Sequence, residues 1–281
     1  MGTMIAMLLV LSALAGCANE SMVNVRNAAL PAQEEPAVTW VVELETVADT
    51  VSNEKGQEIA AYSYTVPALY AVLPDGSRLE EAQTEEEARY LEIMAAFDEP
   101  FSAWIGEAEK RDEFTGMAKE YWMETLHGSP FTDELTCTVY QTAHLVSISG
   151  VYYSWAGGAH PNTSLYSWNF DLDTGSFFDP QLLEEGSGLG TAVHAELSRQ
   201  ARERAAEASM KPEDFFWSNY DDILQEWSNY AVSFDESGMT VAFSPYELAC
   251  YAAGEQIFRI PYDWLAPRLS SAAQSFLGIG Q

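Results

Sequence analysis

Four histidines, three cysteines and 43 acidic residues are the side chains of this 281-residue chain that could do chemistry. The histidines are His127, His144, His160 and His194, and none is paired at metal-ligand spacing. No GxSxG, HExxH, Walker loop or GxGxxG is present, so no familiar nucleophile, zinc or phosphate site is written into the chain. With so many carboxylates a glycosidase pair is easy to propose, and counting alone singles none out. Asp171 and Asp173 in the run DLDTG could suggest a calcium loop. The 12-residue ligand pattern is absent, however, and Asp-x-Asp-x-Gly is also an ordinary hairpin turn. The acidic runs Glu85–Glu87 and Glu184-Glu185 read as solvated faces. The expectation is no catalytic residue, no metal and no cofactor.

Two segments are more specific. Residues 145–179 lead from an apolar-alternating strand into Gly157-Gly158-Ala159-His160, and Asn162 opens the next strand. The paired glycines permit a sharp turn or a backbone held close to a neighbour. His160 could order that turn by a hydrogen bond, or face a ligand. Near the C-terminus, the run Phe243-Ser244-Pro245-Tyr246-Glu247 is followed by Tyr251-Ala252-Ala253-Gly254. Pro245, Tyr246 and Tyr251 could shape a loop or take part in binding. Tyr152, Tyr153, Trp155, Tyr166 and Trp168 crowd two neighbouring strands. One alternating set must line the core, and the other could stack on a sugar or anchor a protein partner.

These two segments, in this order with a helical insert between them, resemble the extracellular domain of RsiV-type anti-sigma factors. They also resemble the N-terminal, non-catalytic portion of PdaC-type peptidoglycan deacetylases. The resemblance spans residues 38–265, by layout in the first half and by motif in the second. It implies an α+β envelope domain. In RsiV-type proteins that domain binds lysozyme outside the cell, leading to release of a sigma factor. In the deacetylases the chemistry lies in a separate hydrolase domain. The sequence read here contains neither a sigma-binding segment nor a deacetylase domain. The resemblance therefore implies the recognition module alone, with Gly157, Gly158, His160, Asn162, Tyr246 and Tyr251 in its candidate binding loops.

The N-terminus reads as an address. Residues 4–15 are apolar except for Ser12, too short for a membrane-spanning helix but long enough for a signal-peptide core. Ala15 and Gly16 before Cys17 look like a bacterial lipobox, although no Lys or Arg precedes the core. Residues 1–17 are thus expected to be a lipoprotein signal, with Cys17 lipidated and the mature chain anchored outside the cytoplasmic membrane. Residues 18–37 read as a flexible tether. Cys137 and Cys250 could form a disulfide in that compartment, or could be two unpaired thiols.

Composition bounds the partners. Lys plus Arg is 13 against 43 acids, a net charge of −30. That field repels nucleic acid and anionic lipid and attracts cationic partners in a salt-dependent way. Apolar residues at 47% suffice for a sizeable core.

The elements that must position the loops are legible in pattern. Strands are expected at 38–46 and 58–66 around the turn Asn53–Gly56. Thr84 caps a helix running to about Phe97, Pro100 interrupts it, and a second helix follows from Ser102 to Leu126. Three antiparallel strands follow at 134–140, 145–155 and 165–170. Asp179-Pro180 can open a short helix. Helices are expected at 191–208 and 220–227, and strands at 230–234, 239–243 and 255–260. The fold class is α+β, a mainly antiparallel sheet with helices packed against it. A soft boundary separates residues 38–160 from 161–281, or the two form one integrated unit. The functional expectation is a non-enzymatic surface lipoprotein binding a lysozyme-type protein or wall glycan. The alternatives are a peptidoglycan hydrolase using a carboxylate pair, and a purely structural envelope protein.

Overall fold

The computed structural model describes residues 38–280 apart from 107, 125–127, 181–182 and 184–187, and leaves out the side chains at 103 and 105–110. The signal and tether (1–37), Cys17, His127 and Glu184-Glu185 lie outside the described residues, as does most of the short helix expected after Asp179-Pro180.

A long hairpin opens the fold. β1 (Thr39–Ser52) and β2 (Glu58–Val72) pair antiparallel, and both run further than the sequence pattern indicated. The turn between them is the one expected, with Gly56 N donating to Asn53 O at 3.0 Å and Gly56 at φ 76°. The helix α1 (Glu85–Gly106) then starts in a capping box. Glu87 N donates to Thr84 Oγ1 at 3.1 Å, and Thr84 N donates to Glu87 Oε2 at 3.0 Å.

The expected break at Pro100 is not there: α1 runs through the proline. A proline inside a helix costs about 3 kcal/mol. Phe97 and Phe101 stand one turn apart on either side of it, both buried, against Phe170 and Trp168 with ring centroids 5.2 and 5.0 Å away. Burying two phenylalanines outweighs the lost backbone bond. A shorter helix α2 (Ala108–Tyr121) follows.

β3 (Phe131–Gln141), β4 (Leu145–Trp155) and β5 (Asn162–Asp171) form the three antiparallel strands expected, and the two-residue β6 (Ser176–Phe177) ends the sheet. The order is β1-β2-β3-β4-β5-β6, and β2–β3 is the one parallel pair among the described strands. A parallel neighbour requires a crossover, which α1 and α2 supply. α1 lies on one sheet face over Leu69, Leu135, Val146, Ile148 and Phe170. The soft boundary at 160/161 falls in the loop of the β4–β5 hairpin, whose strands pair from Ser154↔Asn162 to Leu145↔Asp171.

A second sheet holds the C-terminal half: β7 (Ala231–Phe234), β8 (Gly238–Phe243) and β9 (Gln256–Pro261) in the order 7-8-9, all antiparallel. One face buries Val232, Phe234, Val241, Phe243, Phe258 and Ile260. Against this face packs α3 (Leu189–Glu207), whose Leu189, Val193, Leu197, Ala201 and Ala205 recur every fourth residue. The short helices α4 (Pro212–Phe215), α5 (Tyr220–Gln225), α6 (Tyr262–Leu265) and α7 (Ser271–Phe276) close the fold. The architecture is α+β, with two mostly antiparallel sheets. Among the described residues no helix is long and apolar enough to cross a membrane.

Candidate binding surface

The two sheets meet edge to face. β7 is an edge strand, and its outward backbone groups abut the β4–β5 face of the larger sheet. Small polar side chains there take the place of a partner strand. Val232 N donates to Ser167 Oγ at 2.7 Å, and Phe234 N to Ser147 Oγ at 2.8 Å. Asn169 Nδ2 donates to Val232 O at 2.8 Å, while Ser147 Oγ donates to Asn169 Oδ1 at 2.8 Å. Ser147 and Asn169 are buried, so these bonds replace water that cannot reach the interface.

This joint sets the two candidate loops side by side. The β4–β5 turn carries Gly157 at φ 83° and Gly158 at φ 106°. A Cβ on Gly158 would meet nothing within 4 Å, so glycine is needed there for its backbone angle and not for close approach. The β8–β9 connection carries Tyr246 and, in a single 3₁₀ turn, Tyr251. The two loops meet through their rings. His160 stacks on Tyr251 with centroids 3.8 Å apart and planes 23° from parallel. Tyr246 completes the cluster, 6.3 Å from His160 and 5.7 Å from Tyr251 between ring centroids.

The polar atoms of the cluster are ordered. His160 Nδ1 lies 2.9 Å from Pro161 O, and a carbonyl can only accept, so Nδ1 carries the proton in the neutral ring. His160 Nε2 then faces Tyr246 Oη as an acceptor, at 3.5 Å. Tyr246 is 55% exposed and sits at φ 76°, a left-handed conformation unusual for so bulky a residue. Three bonds hold it there. Its N–H donates to Ala249 O at 3.1 Å, Trp217 Nε1 donates to its carbonyl at 2.9 Å, and the next residue's N–H reaches Ser244 O at 3.1 Å. Glu247 Oε2 in turn accepts from Ser244 N at 2.5 Å.

Thus His160, Tyr246 and Tyr251 come together, while Gly157 and Gly158 shape the turn that delivers His160. Asn162 is exposed and begins β5 opposite Ser154; it makes none of the cluster's ring contacts. Sequence reasoning missed Trp217, which braces Tyr246 from the α4–α5 region. Its one signal was a tryptophan in the otherwise polar run Trp217-Ser218-Asn219. Of the strand aromatics, Tyr152 packs on Trp104 of α1 at 5.2 Å, with Tyr166 6.4 Å from the same ring, and Trp155 meets Phe131 edge-on at 5.8 Å in the apolar cluster that includes Ala118 of α2.

Cys137 is buried among the apolar side chains under α1, and Cys250 is exposed beside Tyr251. Both are free thiols in this structure. Larger concavities lie elsewhere among the described residues. One of about 360 Å³ opens between the sheets, with Val151, Leu165, Ala242 and Ile257 among its walls. Another, of about 600 Å³, holds His144 and Asp173, whose Nδ1 and Oδ2 are 2.9 Å apart. Asp171 accepts from the N–H groups of Asp173 and Thr174, which is the hairpin-turn reading of DLDTG, and Gly175 follows at φ 71°. Among the described residues no group of three or more His, Cys, Asp or Glu is placed to hold a metal ion.

Comparison with known proteins bears on the C-terminal part of this surface. Residues 181–263 match the family model described as Protein of unknown function (DUF3298). The match takes in Tyr246, Tyr251 and Trp217 and leaves His160 outside. Among solved structures, a DUF3298 family member from Bacteroides fragilis aligns at a TM-score of 0.53 with 15% identity. That alignment covers 84% of this chain and 95% of that one. A DUF3298 family protein from Pseudomonas aeruginosa aligns at 0.48 with 16% identity, covering 83% and 95%. No curated protein matches the chain.

Proposed function

We propose that this chain is a non-enzymatic recognition module held outside the cytoplasmic membrane by a lipid on Cys17. Its partner is a component of the cell envelope, a cationic lysozyme-type protein before wall glycan. The observation that carries this reading is Tyr246, held half in solvent and in a left-handed backbone beside the stacked His160 and Tyr251. Strain kept in place by three bonds is a mark of functional positions. Exposed tyrosines braced by their surroundings are the side chains that anchor protein and sugar partners. A chain at −30 steers a cationic partner toward this platform, and the rings supply the local contact.

The test is calorimetric titration of residues 18–281 with a purified cationic lysozyme at two salt concentrations. Saturable binding that persists at physiological salt, and is lost in Tyr246→Ala, supports the reading. Heat that vanishes at physiological salt, or binding indifferent to Tyr246, removes lysozyme as the partner. Wall-glycan fragments would then be titrated in its place.

A further inference from the structure

A sheet edge presents unpaired N–H and C=O groups, and folded proteins close such edges by specific devices. Among the described strands, three of the four sheet edges are closed. β6 is only two residues long. The edge of β7 is met by Ser147, Ser167 and Asn169. The edge of β9 is met from α3, where Arg204 Nη2 donates to Ile257 O at 2.6 Å and Gln200 Nε2 to Arg259 O at 3.0 Å.

β1 is the fourth edge. It is 14 residues long, the terminal strand of its sheet, and exposed at seven of the eight positions from Glu43 to Thr50. At its start Gln141 Nε2 donates to Trp40 O at 2.8 Å. Beyond that, among the described residues, no side chain of another element bonds to its backbone from Val41 to Val51. Every second residue of an antiparallel edge strand turns its polar groups outward. The strand carries no proline, glycine or lysine, and its one irregularity is a register shift at its far end, Val51/Ser52.

What it does carry is charge of one sign: Glu43, Glu45 and Asp49, of which Glu43 is ion-paired with Arg78 from outside the strand and Glu45 accepts from Tyr70 Oη at 2.6 Å while keeping its charge. A second copy of this chain would bring the same three acids alongside, in a molecule already at −30, so like charges oppose self-pairing. The same acids favour a strand rich in lysine or arginine. The edge is guarded against its own kind and open to the opposite charge. We propose that β1 is a strand-addition site for an extended basic segment of another protein, which joins the larger sheet as a seventh strand. Main-chain bonds would give the affinity and alternate side chains the specificity. Three strands separate β1 from β5, so this site stands apart from the His160–Tyr246–Tyr251 platform and does not depend on it.

The probe is an end-blocked ten-residue peptide alternating lysine with threonine, titrated into residues 18–281 at physiological salt, with amide exchange followed by NMR. The expected result is saturable binding with slowed exchange between Glu43 and Thr50. Two controls separate strand addition from charge attraction. The same peptide N-methylated at alternate residues keeps its charge and loses its donors, and should bind at least tenfold more weakly. The protein variant Glu45→Lys/Asp49→Lys keeps the backbone and reverses the edge charge, with a similar loss expected. No binding of the parent peptide, equal binding of the methylated one, or protection outside β1 overturns the proposal. If Tyr246→Ala abolishes peptide binding, the peptide occupies the aromatic platform and the edge proposal also fails.

Discussion

His160 and Tyr251 lie face to face, 3.8 Å between centroids, although one belongs to a hairpin of the larger sheet and the other to a connection in the smaller. Each loop is thus ordered by the other, and the pair forms the floor beside which Tyr246 stands. Removing the tyrosine floor should hurt binding more than folding. On the proposed function, Tyr251→Ala is expected to weaken binding of the proposed envelope partner by about 2 kcal/mol, roughly thirtyfold in Kd, as hot-spot aromatics do. Isothermal titration beside a thermal melt separates the effects. A fall in Tm with unchanged affinity would make the stack a purely structural joint.

Tyr246 lends itself to a test of opposite sign. A left-handed backbone costs a residue with a Cβ about 1–2 kcal/mol, and glycine escapes most of this. Tyr246→Gly should therefore leave stability unchanged or raise it by about 1 kcal/mol while binding is lost. Denaturant unfolding gives the first quantity and titration the second. A clear destabilisation would show that the ring, and not the backbone, holds the loop.

The joint between the sheets rests on few atoms. Ser147 Oγ accepts from Phe234 N and donates to Asn169 Oδ1, both at 2.8 Å and both buried. Ser147→Ala leaves a buried N–H and a buried amide oxygen short of partners, at a cost of about 1–3 kcal/mol. Asn169→Asp should cost more, because it removes the donor to Val232 O and buries a charge. Chemical denaturation of both variants checks the order. A Ser147→Ala protein as stable as the parent would mean that water replaces the hydroxyl.

How these features could be read from sequence differs from residue to residue. The β3–β4–β5 block was plain, because Val, Ile and Tyr alternate with Ser and Thr at strand spacing. The fourth-residue stripe Val193, Leu197, Ala201, Ala205 was equally plain. The continuation of α1 through Pro100 was not, because local chemistry forbids it and only Phe97 and Phe101 packing on distant strands permits it. The division into two sheets was hidden for a related reason. Ser147, Ser167 and Asn169 look like solvent-facing strand positions, and nothing in their types says that a strand edge will dock on them. The candidate loops were found by motif, whereas the contact of His160 with Tyr251 needs a long-range joint that no local pattern encodes. Trp217 braces Tyr246 through its indole N–H, and tryptophans elsewhere in the chain do other work.

Asp98 gives a pH test. It is partly buried in α1, where desolvation holds its carboxyl above the usual value, with Leu69 N–H and nearby Glu45 pulling in opposite directions. Because the folded carboxyl titrates above the unfolded one, the native state prefers it protonated. Stability is therefore greatest below the unfolded range, near pH ~4, and declines as pH rises through it toward the folded value. Asp98→Asn keeps an oxygen for Leu69 N–H, which donates at 3.2 Å, and removes the charge. Its Tm should exceed the parent's at pH 7 and match it at pH 3. An Asn variant less stable at pH 7 would show that the ionised carboxylate is favoured in place.

The two thiols of the described region should differ sharply in reactivity. Burial alone pushes the Cys137 thiol up to about 12, and the thiolate is the reactive form. Cys137 also lies beneath Gly150, whose added Cβ would come 3.5 Å from the sulfur, so no reagent has room to approach from that side. Cys250 is exposed next to the Tyr251 turn. With a chain starting at Ala18, an aromatic disulfide reagent at pH 8 should therefore release one equivalent of thiolate under native conditions and two in denaturant. Modification at Cys250 sets a bulky group beside the His160–Tyr251 stack and should weaken the partner by at least tenfold. Two fast equivalents would expose Cys137 and contradict the packing under α1. None before reduction would mean that the two sulfurs are joined.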